Sequence, residues 1–126
     1  MVRAMRASLS IVILSSSLLA ACSSDPAPAD APGSNVETVT CAGGEMSIAT
    51  TGDSFAGVYT PNAVTISAGQ AVQFVMPATH NVVPDTGGDA NLSVPFSTTR
   101  CLKFKVAGSY KFHCGPHAFK GTVTVQ

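Results

Sequence analysis

The chain has 126 residues, a length that favours one domain. Hydrophobic residues make up 45% and charged residues 11%, so a packed core is expected and overall disorder is excluded. Basic and acidic side chains number seven each, and with no basic patch a nucleic-acid partner is excluded.

The first element stands outside the fold. Arg3 and Arg6 form a positive n-region, and residues 9–19 form an apolar run too short to span a bilayer. This predicts a signal peptide over residues 1–21 rather than a transmembrane helix. It ends in Leu19-Ala20-Ala21-Cys22, which resembles a bacterial lipobox. The expected product is a lipoprotein whose mature N-terminus is a lipidated Cys22, attached to a membrane through that lipid alone. An ordinary signal peptide with a coincidental Cys is the alternative. Loss of Arg3 and Arg6 leaves five basic side chains against seven acidic ones, a mature charge of −2. Residues 22–35, rich in Ser, Pro, Ala and Asp, are expected to be a flexible anchored linker. The folded domain is then expected over residues 36–126, exported to the periplasmic or cell-surface side.

From Val36 onward the periodicity is two. Residues 64–67, 102–106, 110–114 and 122–125 alternate apolar with polar, and residues 71–76 form a more apolar run that suits a more buried strand. Pro61-Asn62, Ala68-Gly69, Gly87-Gly88 and Ala107-Gly108 separate these runs. No segment carries helical periodicity with a cap. Short strands between Gly and Pro turns predict an all-β sandwich or barrel. Alternation places Tyr110, Phe112 and Cys114 on one face, the core, and Lys111 and His113 on the other. Leu102, Phe104 and Val106 are expected to point inward, with Cys101 on the Lys103 and Lys105 face.

Four cysteines divide by context. Cys22 belongs to the lipobox. Cys41 and Cys101 have no neighbouring His or second Cys, and in an exported domain a disulfide between them is expected. It would close a loop of roughly 60 residues and contribute on the order of 4 kcal/mol in the chain-entropy model. Two separate buried thiols are the alternative.

Cys114 remains, three residues before His117. A nucleophilic Cys needs a base and an orienting group, and an inward-facing thiol beside no binding loop suits that role poorly. A metal fits better: a thiolate ending a strand and a His on the following turn can converge on one ion. Of the three histidines, His113 faces outward, which leaves His80 at the end of the 71–76 run. His80, Cys114 and His117 form a His₂Cys set, the donor pattern of a trigonal type 1 copper centre. A core histidine beside an inert thiol is the bland alternative.

The residues Y-x-F-x-C-x-P-H followed by G-x-V-x-V near the C-terminus, P-x-x-V-T-I-x-x-G-x-x-V-x-F over residues 61–74, and H-N-V-V over residues 80–83 resemble the cupredoxins. These are small blue-copper electron carriers of the plastocyanin, amicyanin, azurin and halocyanin type, and the resemblance covers roughly residues 45–126. It implies a Greek-key β-sandwich of seven or eight strands with one copper near one end. It implies that His80, Cys114 and His117 are the equatorial ligands and that Asn81 ties the two ligand loops together, here through the Gly115 backbone. Pro116 matches the Pro that removes a backbone N–H near the sulfur. The family usually places an axial Met three to five residues after the second His, and Lys120, Gly121 and Thr122 stand there instead. The axial candidates are the Thr79 carbonyl, Met76, Lys120, or no ligand.

The resemblance implies one-electron transfer by a non-enzymatic monomer, with transient docking of redox partner proteins near His117, Pro116, Ala118 and Phe119. A copper carrier or storage role without electron transfer is the alternative. A copper enzyme with a second ion on His113 is disfavoured, because too few histidines remain.

Overall fold

The computed structural model describes residues 30–53 and 55–126. The signal peptide, Cys22 and the linker as far as residue 29 lie outside the described residues.

Nine strands form among the described residues, five of them on the alternating or apolar runs. They are β1 (Val36–Val39), β2 (Met46–Gly52), β3 (Gly57–Thr60), β4 (Ala63–Ile66), β5 (Ala71–Met76), β6 (Val83–Pro84), β7 (Thr98–Phe104), β8 (Gly108–His113) and β9 (Lys120–Val125). Two sheets result, a five-stranded one in the order β1-β7-β5-β2-β3 and a four-stranded one in the order β4-β9-β8-β6. The β2–β5 and β4–β9 pairs are parallel and the others antiparallel.

The fold is therefore the all-β sandwich expected, with nine strands where seven or eight were anticipated. The difference has two sources. The segments before and after Pro61-Asn62 form separate strands, since β3 pairs in one sheet and β4 in the other. The strand β6 is only two residues long, too short to leave a periodic trace in sequence.

Period-two alternation becomes an inside and an outside. Val72, Phe74 and Met76 of β5 face inward, as do Leu102 and Phe104 of β7, Phe112 of β8, and Val123 and Val125 of β9. The strand β5 is central in its sheet, which accounts for its more apolar character, although Val75 is exposed on the outer face. Val106, expected inside, is 48% exposed, because β7 ends at Phe104 and the chain turns before reaching it. At the centre the rings of Phe74 and Phe112 meet edge to face at 5.5 Å, and those of Phe112 and Tyr59 at 4.8 Å. Each such ring, fully buried, contributes roughly 1.5–3 kcal/mol through apolar burial.

Phe112 also needs the space above Gly121, its partner across β9. A Cβ on Gly121 would lie 2.4 Å from the Phe112 ring. Cys41 and Cys101 are joined in a disulfide, and Cys101 is buried beneath the segment leading into β2. Cys114 is the free thiol, also buried.

Residues 30–35, expected to be part of the linker, are fastened to the domain. The Asp89 carboxylate accepts hydrogen bonds from the Ser34 hydroxyl, the Asn35 amide at 2.7 Å and the Asn91 amide at 3.0 Å. Asn91 in turn accepts from the Ala31 amide and donates to the Val36 carbonyl, while Asp30 accepts from the Thr38 amide. Partial burial alone would raise the Asp89 pKa, but the Ser34 hydroxyl and the amides of Asn91, Asn35 and Val36 outweigh it and hold the carboxyl below its ordinary range.

Two outcomes follow. Asp89→Ala should cost about 1–2 kcal/mol in chemical denaturation and speed exchange of the Asn35 amide. The same stabilisation should be present above the ordinary carboxylate range and fade as pH falls through the lowered native pKa of Asp89, a dependence absent in the variant. Separately, Gly121→Ala should cost about 1–3 kcal/mol, because Phe112 has no room to retreat.

Candidate metal centre

The site lies where β5 and β8 end. After Met76 the chain leaves the sheet through a turn over residues 77–79, and His80 follows. Both flanks of this segment are pinned: the Ser97 amide donates to the Pro77 carbonyl at 2.9 Å, and Val82 and Val94 exchange hydrogen bonds of 2.9 and 3.1 Å. His80 is consequently held at 1% exposure, the one buried polar side chain in the described core. Cys114 comes directly after β8 and points inward, as alternation requires.

The ligand turn then closes on itself. The Ala118 amide donates to the Cys114 carbonyl at 2.8 Å, and the Cys114 amide donates to the Phe119 carbonyl at 3.0 Å. Ala118 adopts a φ of 56°, the left-handed region that reverses the chain and returns it to β9. His117, at the apex, is half-buried.

These elements bring three donor atoms together. His80 Nδ1 and His117 Nδ1 are 3.2 Å apart, and Cys114 Sγ is 3.7 Å from each. A point equidistant from the three atoms lies about 2 Å from each, the length of a metal–imidazole bond and slightly less than a metal–thiolate bond. The donor set thus fits a single ion close to the plane of its three atoms. Two imidazole nitrogens and a thiol facing one another in a buried pocket have little else to satisfy them.

The surroundings sort the other candidates. His113 faces outward, as expected, and is engaged by Asp85, whose Oδ1 lies 2.7 Å from its Nδ1. Lys120 pairs with His113 across β8 and β9, so it shares the outer face. It is exposed beside Asp85, Thr86, His113 and Ala118. Met76 is part of the hydrophobic core. Thr79 is on the surface of the turn before His80. Asn81 joins the two ligand loops in the way expected, its Oδ1 accepting the Gly115 amide at 2.8 Å. Pro116 and Ala118 are exposed, but Phe119, expected beside them as docking surface, is half-buried and packed against the core.

Three packing roles around the site escaped the sequence reading. Phe119 packs edge-on against His80 at 5.1 Å and lies parallel to the His117 ring at 6.4 Å. Tyr59 meets Phe119 edge to face at 4.7 Å, and its hydroxyl donates to the Asn81 carbonyl at 2.6 Å. Burial, and then the neighbouring Cys114, raise the Tyr59 phenol above its ordinary pKa. Gly57 closes the wall: a Cβ there would lie 2.9 Å from His80 Nε2 and 3.0 Å from the Phe119 ring. The one sequence signal for these residues was the alternation in Val58-Tyr59-Thr60 before Pro61, which sets Tyr59 inward but does not say against what.

A two-sheet β-sandwich with a His₂Cys triangle at one end is the architecture of the cupredoxin class. Residues 45–126 match the model of the copper-binding plastocyanin/azurin family, and the chain belongs to that family. Plastocyanin from Scenedesmus fuscus is 38% identical over 91 residues, covering 59% of this chain and 92% of that protein. Plastocyanin from Prochlorothrix hollandica is 33% identical over 88 residues, covering 59% of this chain and 67% of that protein. Among solved structures, amicyanin from Paracoccus versutus (Thiobacillus versutus) superposes with a TM-score of 0.59 at 21% identity, over 74% of this chain and 99% of that one, a likeness of fold.

The wall at Gly57 yields an expected outcome. Gly57→Ala should push the His80 imidazole or Phe119 out of place, costing about 1–3 kcal/mol of stability. It should weaken copper binding in a competition assay, whereas Gly69→Ala, itself strained by a φ of 87° but remote from the site, should leave copper binding unchanged.

Proposed function

We propose that the domain carries single electrons between partner proteins, with copper held by His80 Nδ1, Cys114 Sγ and His117 Nδ1. The observation that carries this reading is the donor triangle, whose size and composition suit a trigonal copper site better than a zinc site, which takes a fourth strong ligand. Bound copper supplies a Cu(II)/Cu(I) couple.

The protein's part is to hold one geometry for both oxidation states. His80 and Cys114 are locked in the core, and His117 sits on a turn closed by two backbone hydrogen bonds. Phe119 and Gly57 keep the imidazoles packed, so little rearranges and little water enters. His117 alone reaches toward solvent, between exposed Pro116 and Ala118. Its outer edge is the proposed exit for the electron, and Pro116 and Ala118 form a small apolar contact for transient partners. Asn81 and Gly115 support the site, and Thr79 remains the candidate for a weak axial carbonyl.

In this reading the protein is a carrier and not an enzyme, and His113, occupied by Asp85, serves structure. It is exported, lipid-anchored through Cys22 after removal of residues 1–21, and acts as a monomer. The free tether is then shorter than residues 22–35, because Ala31, Ser34 and Asn35 are fastened to Asp89 and Asn91.

Copper-loaded protein should show an intense blue or green charge-transfer band that one-electron reductants bleach reversibly. Cys114→Ser should abolish it. A colourless copper adduct would instead favour a carrier or storage role. With no thioether to stabilise Cu(II), the reduction potential should lie above that of Met-ligated relatives, and Lys120→Ala should leave it unchanged. A lower potential, or one that moves with Lys120, contradicts the assignment.

A further inference from the structure

Tyr59 belongs to β3 in the five-stranded sheet, whereas Cys114 and His117 follow β8 in the other. Its side chain crosses between them at 2% exposure. A hydroxyl buried this deeply needs a partner, and it has one in the Asn81 carbonyl. Asn81 is the residue after His80, and its own side chain holds the Gly115 amide, next to Cys114. One residue of the His80 loop is thus gripped twice, from β3 through its carbonyl and toward the Cys114 loop through its side chain. The Tyr59 ring adds a second route, since it backs Phe119, which touches both imidazoles.

We infer that Tyr59 is a positioning residue of the metal centre, its hydroxyl fixing the Asn81 peptide so that the Asn81–Gly115 bond keeps the two ligand loops in register. This rests on the copper reading above for its functional meaning. Without the hydroxyl the Asn81 peptide gains freedom to rotate, the Gly115 amide loses a fixed acceptor, and the Cys114 thiolate loses its fixed relation to His80. The protein contains its own control. Tyr110 also donates its hydroxyl to a backbone carbonyl, that of Val106 at 2.7 Å, and also packs edge to face, on Phe104 at 5.0 Å. It does so at the start of β8, away from the ligand loops. The Tyr110 bond is the more exposed of the two, so a role in stability alone predicts that Gly115 exchange follows each variant's global stability and nothing more.

The test compares Tyr59→Phe with Tyr110→Phe, each of which keeps its ring. In the copper-free protein, exchange of the Gly115 amide should accelerate about tenfold in Tyr59→Phe, the upper end for one lost hydrogen bond, and stay unchanged in Tyr110→Phe. In an Asn81→Ala background, Tyr59→Phe should add nothing further at Gly115, since both act through the same bond. Loaded with copper, only Tyr59→Phe should shift the charge-transfer band and the reduction potential. Equal Gly115 exchange in the two variants, or additive effects with Asn81→Ala, would overturn the positioning role. A wild-type protein that takes up no copper colour would sink the functional reading by itself, visibly distinct from the exchange result.

Discussion

The hydrogen bond from the Gly115 amide to Asn81 Oδ1 is the constraint on which the metal end depends. His80 and Cys114 are 34 residues apart and follow strands that belong to different sheets. Sheet packing brings those ends near one another but leaves their loops free to settle separately. A 2.8 Å bond between the residues adjoining the two donors removes that freedom. Because both bonded groups lie one residue from a donor, a displacement at either would pass directly to Nδ1 or Sγ.

Around this bond, packing and polarity work against each other. The end of a sandwich is apolar, and burying two imidazoles and a thiol there is unfavourable unless they have a common partner. The fold meets the difficulty with aromatic walls. Phe119, Tyr59 and Phe112 form a continuous run of edge-to-face contacts leading from the centre of the core to His80. Glycines stand where that run leaves no volume, at position 57 under His80 and at position 121 under Phe112. The core and the site are therefore one packed body, and a change of volume in either is felt in both.

How much of this was legible in the sequence depended on the range of the interaction. Alternation over residues 71–76, 110–114 and 122–125 revealed strands and their inward faces, because burial on one side imposes a period of two locally. His80, Cys114 and His117 were legible for chemical reasons, as few residue types form a trigonal N₂S set. The two-residue strand β6 left no period to detect. Val106 was misplaced because alternation does not say where a strand stops. Phe119 was legible only as part of a docking patch beside His117, and its packing against the core follows from the left-handed turn at Ala118, which sequence alone does not reveal. Tyr59 and Gly57 act through contacts across the two sheets, which neighbouring residues do not encode. Residues 30–35 had the composition of a linker, and only the distant Asp89 and Asn91 show why they are held.

The arrangement of the three described cysteines has a chemical corollary. In an unfolded chain any two of Cys41, Cys101 and Cys114 are open to oxidative coupling, and two of the three pairings would consume the donor sulfur. The native fold separates them by face: Cys41 and Cys101 are joined against the outer side of the five-stranded sheet, while Cys114 points into the interior at the end of β8. Thiol–disulfide exchange needs an attacking thiolate to approach along the sulfur–sulfur axis, and a fully enclosed Cys114 has no such approach. The topology therefore shields one sulfur from the redox chemistry that welds the other two, and the chain holds both a disulfide and a free cysteine.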